Sequence, residues 1–288
     1  MVPETVVAHR VSTTPFAQVT LASDLSSSAA AAFPHALKLA LASRGRLDIV
    51  HADSDADRAG HQWRSFPAVR SALAGWGLLD PGADETAVAE QLGLQVVKTD
   101  IAASQPGSAL AYRLSVKPAD LLVVGAHSRD GLSRLFHPSV AEPLARASRI
   151  PVLFVPEGSQ GFVDVATGEA RLRHVLIPVD HEPTPQAAVD LAIRLADLLG
   201  QTPEFHLLHV GADAPAVREG PDHRIRRMTR NGPVADAIVA VAAEMDADLI
   251  VMATAGHDSV LDALRGSIAE QVLHKARRPL LTTPANAD

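Results

Sequence analysis

The chain repeats itself, and that constrains its fold more than any other feature. The segment ADLLVVGAHSRDGLSRLFHPSVAEPLARASRIPVLFVP (119–156) aligns without a gap onto ADLIVMATAGHDSVLDALRGSIAEQVLHKARRPLLTTP (247–284), at an offset of 128. Ala-Asp-Leu opens both. Asp130 falls on Asp258, Ser139 on Ser267, Ala141-Glu142 on Ala269-Glu270, Pro151 on Pro279 and Pro156 on Pro284. Upstream, FAQVTLASD (16–24) pairs with LRHVLIPVD (172–180), and GRLDIVHAD (45–53) pairs with PEFHLLHVG (203–211). A period this long means one folding unit built twice, with the second copy covering what the first covers.

Each copy runs as apolar strand, helix, apolar strand ending at or beside a His, weaker strand, helix, strand, turn, helix and final strand. Short continuous apolar strands alternating with helices require a parallel sheet covered on both faces. Right-handed crossovers then give an α/β fold of two doubly wound domains. The boundaries fall at 1–158 and 170–288, with the polar, Gly-containing PEGSQGFVDVATGEA (156–170) as linker. The copies differ in the middle. The second has no room for a helix between its second and third strands. The first carries extra chain, DADRAGHQWRSFPAVRSALAGWG, holding both Trp residues.

Composition excludes several functions. The 288 residues include no Cys, so disulfides, thiolate catalysis and Cys-type zinc sites are ruled out. A metal must be held by His, Asp or Glu, and there are 13 His. The net charge of −7 with no basic block argues against nucleic acid or an anionic membrane surface as partner. No apolar run is long enough to span a bilayer, and the start MVPETVVAHRVSTT lacks a signal-peptide pattern. A cytoplasmic protein is expected. The run RIRRMTR (224–230) reads as an exposed edge strand with its charges in solvent.

Taken together, the strands ending in Asp24 and Asp180, the Leu-His-Val at 208–210, Ala-Asp-Leu-(Leu/Ile)-Val before the turn and the Ser-(Val/Ile)-Ala-Glu helix start resemble universal stress protein domains, present here in tandem. The resemblance covers nearly all of both copies. It implies five-stranded parallel sheets of order 3-2-1-4-5 with helices on both faces, domains that pair within the chain, and homo-oligomers. It also implies that ATP binding depends on G-x2-G-x9-G-[ST] after the fourth strand. Glycines there let the backbone approach phosphates, and amides at a helix N-terminus point at the anion. The first copy keeps Gly125 but has Ser128 and Pro138 at the next two positions. The second has Ala253 first, then Gly256 and Gly266-Ser267 in register, and Asp180 stands where family members place an Asp near adenine and ribose.

The second copy also carries His181 after Asp180, His209 ending the second strand, and His257-Asp258 after the fourth. In the order 3-2-1-4-5 these stand on adjacent strands ~4.8 Å apart, at the edge where doubly wound sheets bind ligands. Imidazoles with a carboxylate match zinc or a similar divalent ion. The expectation is a non-enzymatic stress protein whose second domain binds a divalent metal, an adenine nucleotide, or both. Two alternatives stand beside it. One is a metal-dependent hydrolase using the same histidines; the other is a ligand-free module paired through the fifth strands PVLFVP and PLLTTP.

Overall fold

The computed structural model describes residues 15–53, 66–104, 106–126, 150–220, 222–254 and 268–285. In the first half these form β1 (Gln18–Ser23), α1 (Ser27–Ala42), β2 (Arg46–Asp53), α2 (Val69–Gly75), α3 (Glu85–Leu92), β3 (Gln95–Ala102), α4 (Pro106–Val116), β4 (Leu121–Ala126) and β5 (Val152–Pro156). The second half gives β6 (His174–Pro178), α5 (Gln186–Leu198), β7 (Glu204–Val210), β8 (Arg224–Arg230), α6 (Val234–Glu244), β9 (Leu249–Thr254), α7 (Ile268–Ala276) and β10 (Leu280–Pro284). No helix among the described residues is long and apolar enough to cross a membrane.

All ten strands join one sheet in the order β3-β2-β1-β4-β5-β10-β9-β6-β7-β8. Each half reads 3-2-1-4-5 from its own outer edge, and neighbours within a half are parallel. The halves meet where β5 pairs antiparallel with β10, placing Leu280 opposite Phe154 and Leu281 opposite Leu153. Both strands are buried along their length. The two apolar final strands therefore pair within the chain, each closing an edge the other would expose. The edges left open are β3 and β8. On β8, Arg227 pairs with Glu219 and Arg230 with Glu244, so the charged edge lies in solvent as the sequence implies.

Two apolar layers sandwich the sheet, and each is continuous across both halves. One gathers α1, α2, α3 and α5, with Phe33, Leu73, Leu195 and Phe205 among its buried side chains. The other gathers α4, α6 and α7, with Leu110, Phe154, Ile238 and Val272. The alternation of side chains along each strand divides them between the layers. Among the described residues no helix stands between β7 and β8, as the short spacing requires. In the first half α2 and α3 fill the longer spacing.

The segment from 156 to 170 is more than a polar linker. Phe162 and Val163 are buried, and Val163 bridges to Ala170. Phe162 packs edge-on against His35, with ring centroids 4.7 Å apart. The indole of Trp76, at the end of α2, donates to the Val165 carbonyl at 3.0 Å. Gly168 sits at φ +67°, and a Cβ there would lie 2.2 Å from the Trp76 ring. The extra chain of the first half thus clamps the connecting segment and covers core. Trp63 lies outside the described residues.

Candidate functional site

The edge to examine is the C-terminal end of β6, β7 and β9, where strand order reverses direction around β6 and β9. The halves diverge there for a local reason. In the first, Asp24 is followed by Leu25 and three serines, and α1 starts at Ser27, three residues on. The Asp24 carboxylate is taken by the turn itself: the Ser26 amide donates to it at 3.0 Å, and the Ser26 hydroxyl donates as well. In the second half, HEPTP follows Asp180. A residue before proline is steered away from the helical region, which restrains Glu182 and Thr184. The helix α5 accordingly waits until Gln186, six residues on.

The two halves also differ in what covers the aligned positions of β4 and β9. In the first half the start of α1 lies directly on β4: a Cβ on Gly125 would sit 2.2 Å from the Ser28 carbonyl oxygen and 2.7 Å from the Ala29 nitrogen. Gly125, counted from sequence as a surviving phosphate glycine, is therefore required by helix packing. In the second half the aligned residue is Ala253, and no helix backbone closes on it. A cavity of about 230 Å³ opens at the strand ends of this half, lined mainly by apolar side chains including Val179, Leu208, Ile238 and Met252, with α6 and α7 beside it. Asp180 borders it, exposed, with its Oδ1 accepting only the His181 amide at 2.8 Å among the described hydrogen bonds. A second hollow of about 500 Å³ lies between α2, α3 and β3, remote from this edge.

The histidines occupy definite roles. His209 is buried and its Nδ1 donates to the Val179 carbonyl at 3.1 Å, tying β7 to the end of β6. His51 does the same in the first half, donating to the Ser23 carbonyl at 2.8 Å. The strand-ending histidine is thus a repeated tie between strand ends. His181 is exposed; its Nε2 donates to the Asp213 carbonyl at 2.9 Å. The rings of His181 and His209 lie edge to face with centroids 6.3 Å apart. Gly256, His257, Asp258, Gly266 and Ser267 fall outside the described residues.

Among the described residues, one group brings three potential ligand atoms within 4.8 Å of one another: His174, Glu204 and His206. It lies at the opposite, N-terminal end of β6 and β7. The sequence does carry a signal for it. Glu204 and His206 are two apart, so they share a face, and His174 opens the neighbouring strand. Attention to the conventional ligand edge passes over it.

Fold and edge together define a doubly wound α/β protein of two repeated halves, with an apolar cavity at the strand ends of the second. The model of the universal stress protein family matches residues 15–156 and 212–284, about three-quarters of the chain, and the chain belongs to that family. A curated universal stress protein of Methanothermobacter thermautotrophicus is 47% identical over 58 residues, which is 20% of this chain and 39% of that protein. A universal stress protein structure from Archaeoglobus fulgidus superposes with a TM-score of 0.61 at 16% identity, covering 93% of this chain and 97% of that one. A putative universal stress protein from Pseudomonas aeruginosa gives 0.59 at 14% identity, covering 93% of each chain. The cytoplasmic domain of a prokaryotic cation chloride cotransporter gives 0.51 at 10% identity, covering 94% of this chain and 96% of that one. At such identities these likenesses speak to the fold alone.

Proposed function

We propose that the chain is a non-enzymatic, ligand-binding universal stress protein whose second half takes an adenine nucleotide at the ends of β6, β7 and β9. The observation that carries this reading is the apolar cavity beside Asp180. An apolar slot suits the faces of a purine, and an exposed carboxylate suits ribose hydroxyls, which donate to it. Phosphates would then extend toward residues 255–267, which hold Gly256 and Gly266-Ser267. On this reading the first half is a structural partner, because Ser128 and Pro138 stand where the second half has Gly256 and Gly266.

A divalent ion fits as a companion of the phosphates, with Asp180 as its protein ligand. A histidine-held ion at this edge has less support, since His181 and His209 each donate to a backbone carbonyl. A hydrolase would need an ion-bound water beside a base, and nothing at the described part of this edge favours one. The same reading places the protein in the cytoplasm, as a homo-oligomer of chains whose halves are already paired.

Calorimetric titration of tag-free protein with ATP tests the proposal. The wild type is expected to bind. Asp180→Ala should weaken binding at least about tenfold, or about 1.4 kcal/mol. Val210→Trp, which fills the cavity, should abolish it while the circular dichroism spectrum stays unchanged. Absence of ATP binding by the wild type, or wild-type affinity in both variants, would overturn the reading.

A further inference from the structure

The cluster at the other end of the second half carries an inference independent of the nucleotide site. His174 Nδ1 and His206 Nε2 stand 3.2 Å apart. Glu204 Oε2 is 3.3 Å from that His206 nitrogen and 4.0 Å from the His174 nitrogen. The side chain of His206 is 4% exposed, which fixes its ring, whereas His174 and Glu204 are about one-third exposed at 35% and 37%.

The first half shows what this place in the fold normally holds. By the repeat alignment His174 falls on Gln18, Glu204 on Arg46 and His206 on Asp48, and strand register agrees: Gln18 faces Arg46 as His174 faces Glu204. There the buried carboxylate of Asp48 is neutralised by two guanidinium groups, Arg46 Nε at 2.7 Å and Arg113 Nη2 at 3.1 Å. The position of Arg113 is Val241 in the second half. Every permanent cation of the first-half cluster is therefore gone, and a carboxylate facing two imidazoles has taken its place. The positive groups left nearby are Arg224 and Arg226 on the adjoining strand β8, opposite Glu204 and His206.

We infer that His174, Glu204 and His206 form an exchangeable binding site for a divalent cation of the zinc class. Two imidazole nitrogens and a carboxylate oxygen are the donor set such ions take. Ligand atoms about 2.0–2.1 Å from a tetrahedral ion lie roughly 3.4 Å apart. Two of the three separations already match, and the third closes by rotation of the partly exposed Glu204. The fourth position opens to solvent on the side of His174 and Glu204. His206 is buried, which fixes the ring and the Nε2 it turns toward Glu204 and His174. Its Nδ1 is buried with no hydrogen-bond partner. A ligating imidazole ordinarily donates its other N–H, and loss of that support weakens a metal site by about 10–100-fold. This argues for an ion that exchanges rather than one locked in place.

Tag-free full-length protein, stripped with EDTA, is titrated with Zn2+ against a chromophoric chelator. The wild type is expected to compete for Zn2+. His174→Gln, which installs the side chain the first half carries, and Glu204→Gln should each weaken the affinity at least tenfold. Both residues are partly exposed, so thermal midpoints near wild type serve as the folding check. His181→Ala should leave this affinity unchanged. No competition by the wild type, unchanged affinity in both cluster variants, or complete loss of Zn2+ binding in His181→Ala would overturn the inference.

Discussion

Gly125→Ala is expected to destabilise the protein by about 3 kcal/mol, whereas Ala253→Gly at the aligned position costs no more than ~1 kcal/mol. The two positions stand on the equivalent strands β4 and β9, at the same register and place in the repeat, so they differ chiefly in what lies above them. On Gly125 the atoms a Cβ would meet, at 2.2–2.7 Å, are all backbone of the first turn of α1. Backbone in a helix start cannot rotate out of the way as a side-chain tip can. Relief requires lifting α1 from β4, and with it the buried Ala29, Ala32 and Phe33. Ala253 lines the cavity at the strand ends of the second half, so removing its methyl disturbs little beyond the entropy of a strand glycine. Urea denaturation of the two variants beside the wild type measures this. A loss below about 1 kcal/mol for Gly125→Ala would mean that α1 is not seated on β4.

The repeat made most of the fold legible. Apolar strands of five to eight residues, a gapless alignment across the fourth and fifth strands, and the missing middle helix of the second half announce the element order, and the family resemblance implies the sheet order, whereas the pairing of β5 with β10 inside one chain rather than between two is visible only in the folded sheet. The glycine pattern was less legible, because a glycine needed for phosphate and one needed for helix packing look the same in sequence. Gly125 meets a residue 97 positions earlier, and no local pattern announces that contact. The histidines show the same limit. His209 reads as a ligand by type and position, yet its bond to the Val179 carbonyl recurs in His51, where the ligand reading does not apply. Phe162 in a polar connecting segment is a single apolar residue without periodicity, and its burial depends on His35 and the clamp of Trp76. The proposed zinc-class site uses side chains from two strands whose register is fixed only by the folded sheet.

The connecting segment leads to the second large effect, an acid sensitivity centred on His35. This side chain sits in α1, fully enclosed, with Nδ1 donating to the Ala31 carbonyl at 3.3 Å and Nε2 lacking a hydrogen-bond partner. Burial pushes its pKa down from 6.5 to about 4, the Ala31 contact opposing only in part. In the unfolded chain the imidazole takes a proton below about pH 6.5. The folded chain refuses it until about pH 4. Between those values the unfolded state binds more protons, so stability rises with pH across the window and falls as the solution is acidified. A difference of this size corresponds to about 3 kcal/mol, present above pH 6.5 and lost by pH 4. His35→Leu removes the titrating group and the unpartnered Nε2 while keeping an apolar contact for Phe162. Its stability should lie within about 1 kcal/mol of wild type, or above it, at pH 7.5, and exceed wild type by about 2 kcal/mol or more at pH 4.5. Other histidines, His206 among them, titrate in both proteins and cancel in the difference. Denaturation midpoints measured every half pH unit from 4 to 8 decide it: converging curves toward neutral pH support the buried, neutral His35, and parallel curves exclude it. Because His35 holds Phe162, the same acid window should loosen the segment joining the halves, and its protease sensitivity should rise in wild type before it does in the variant.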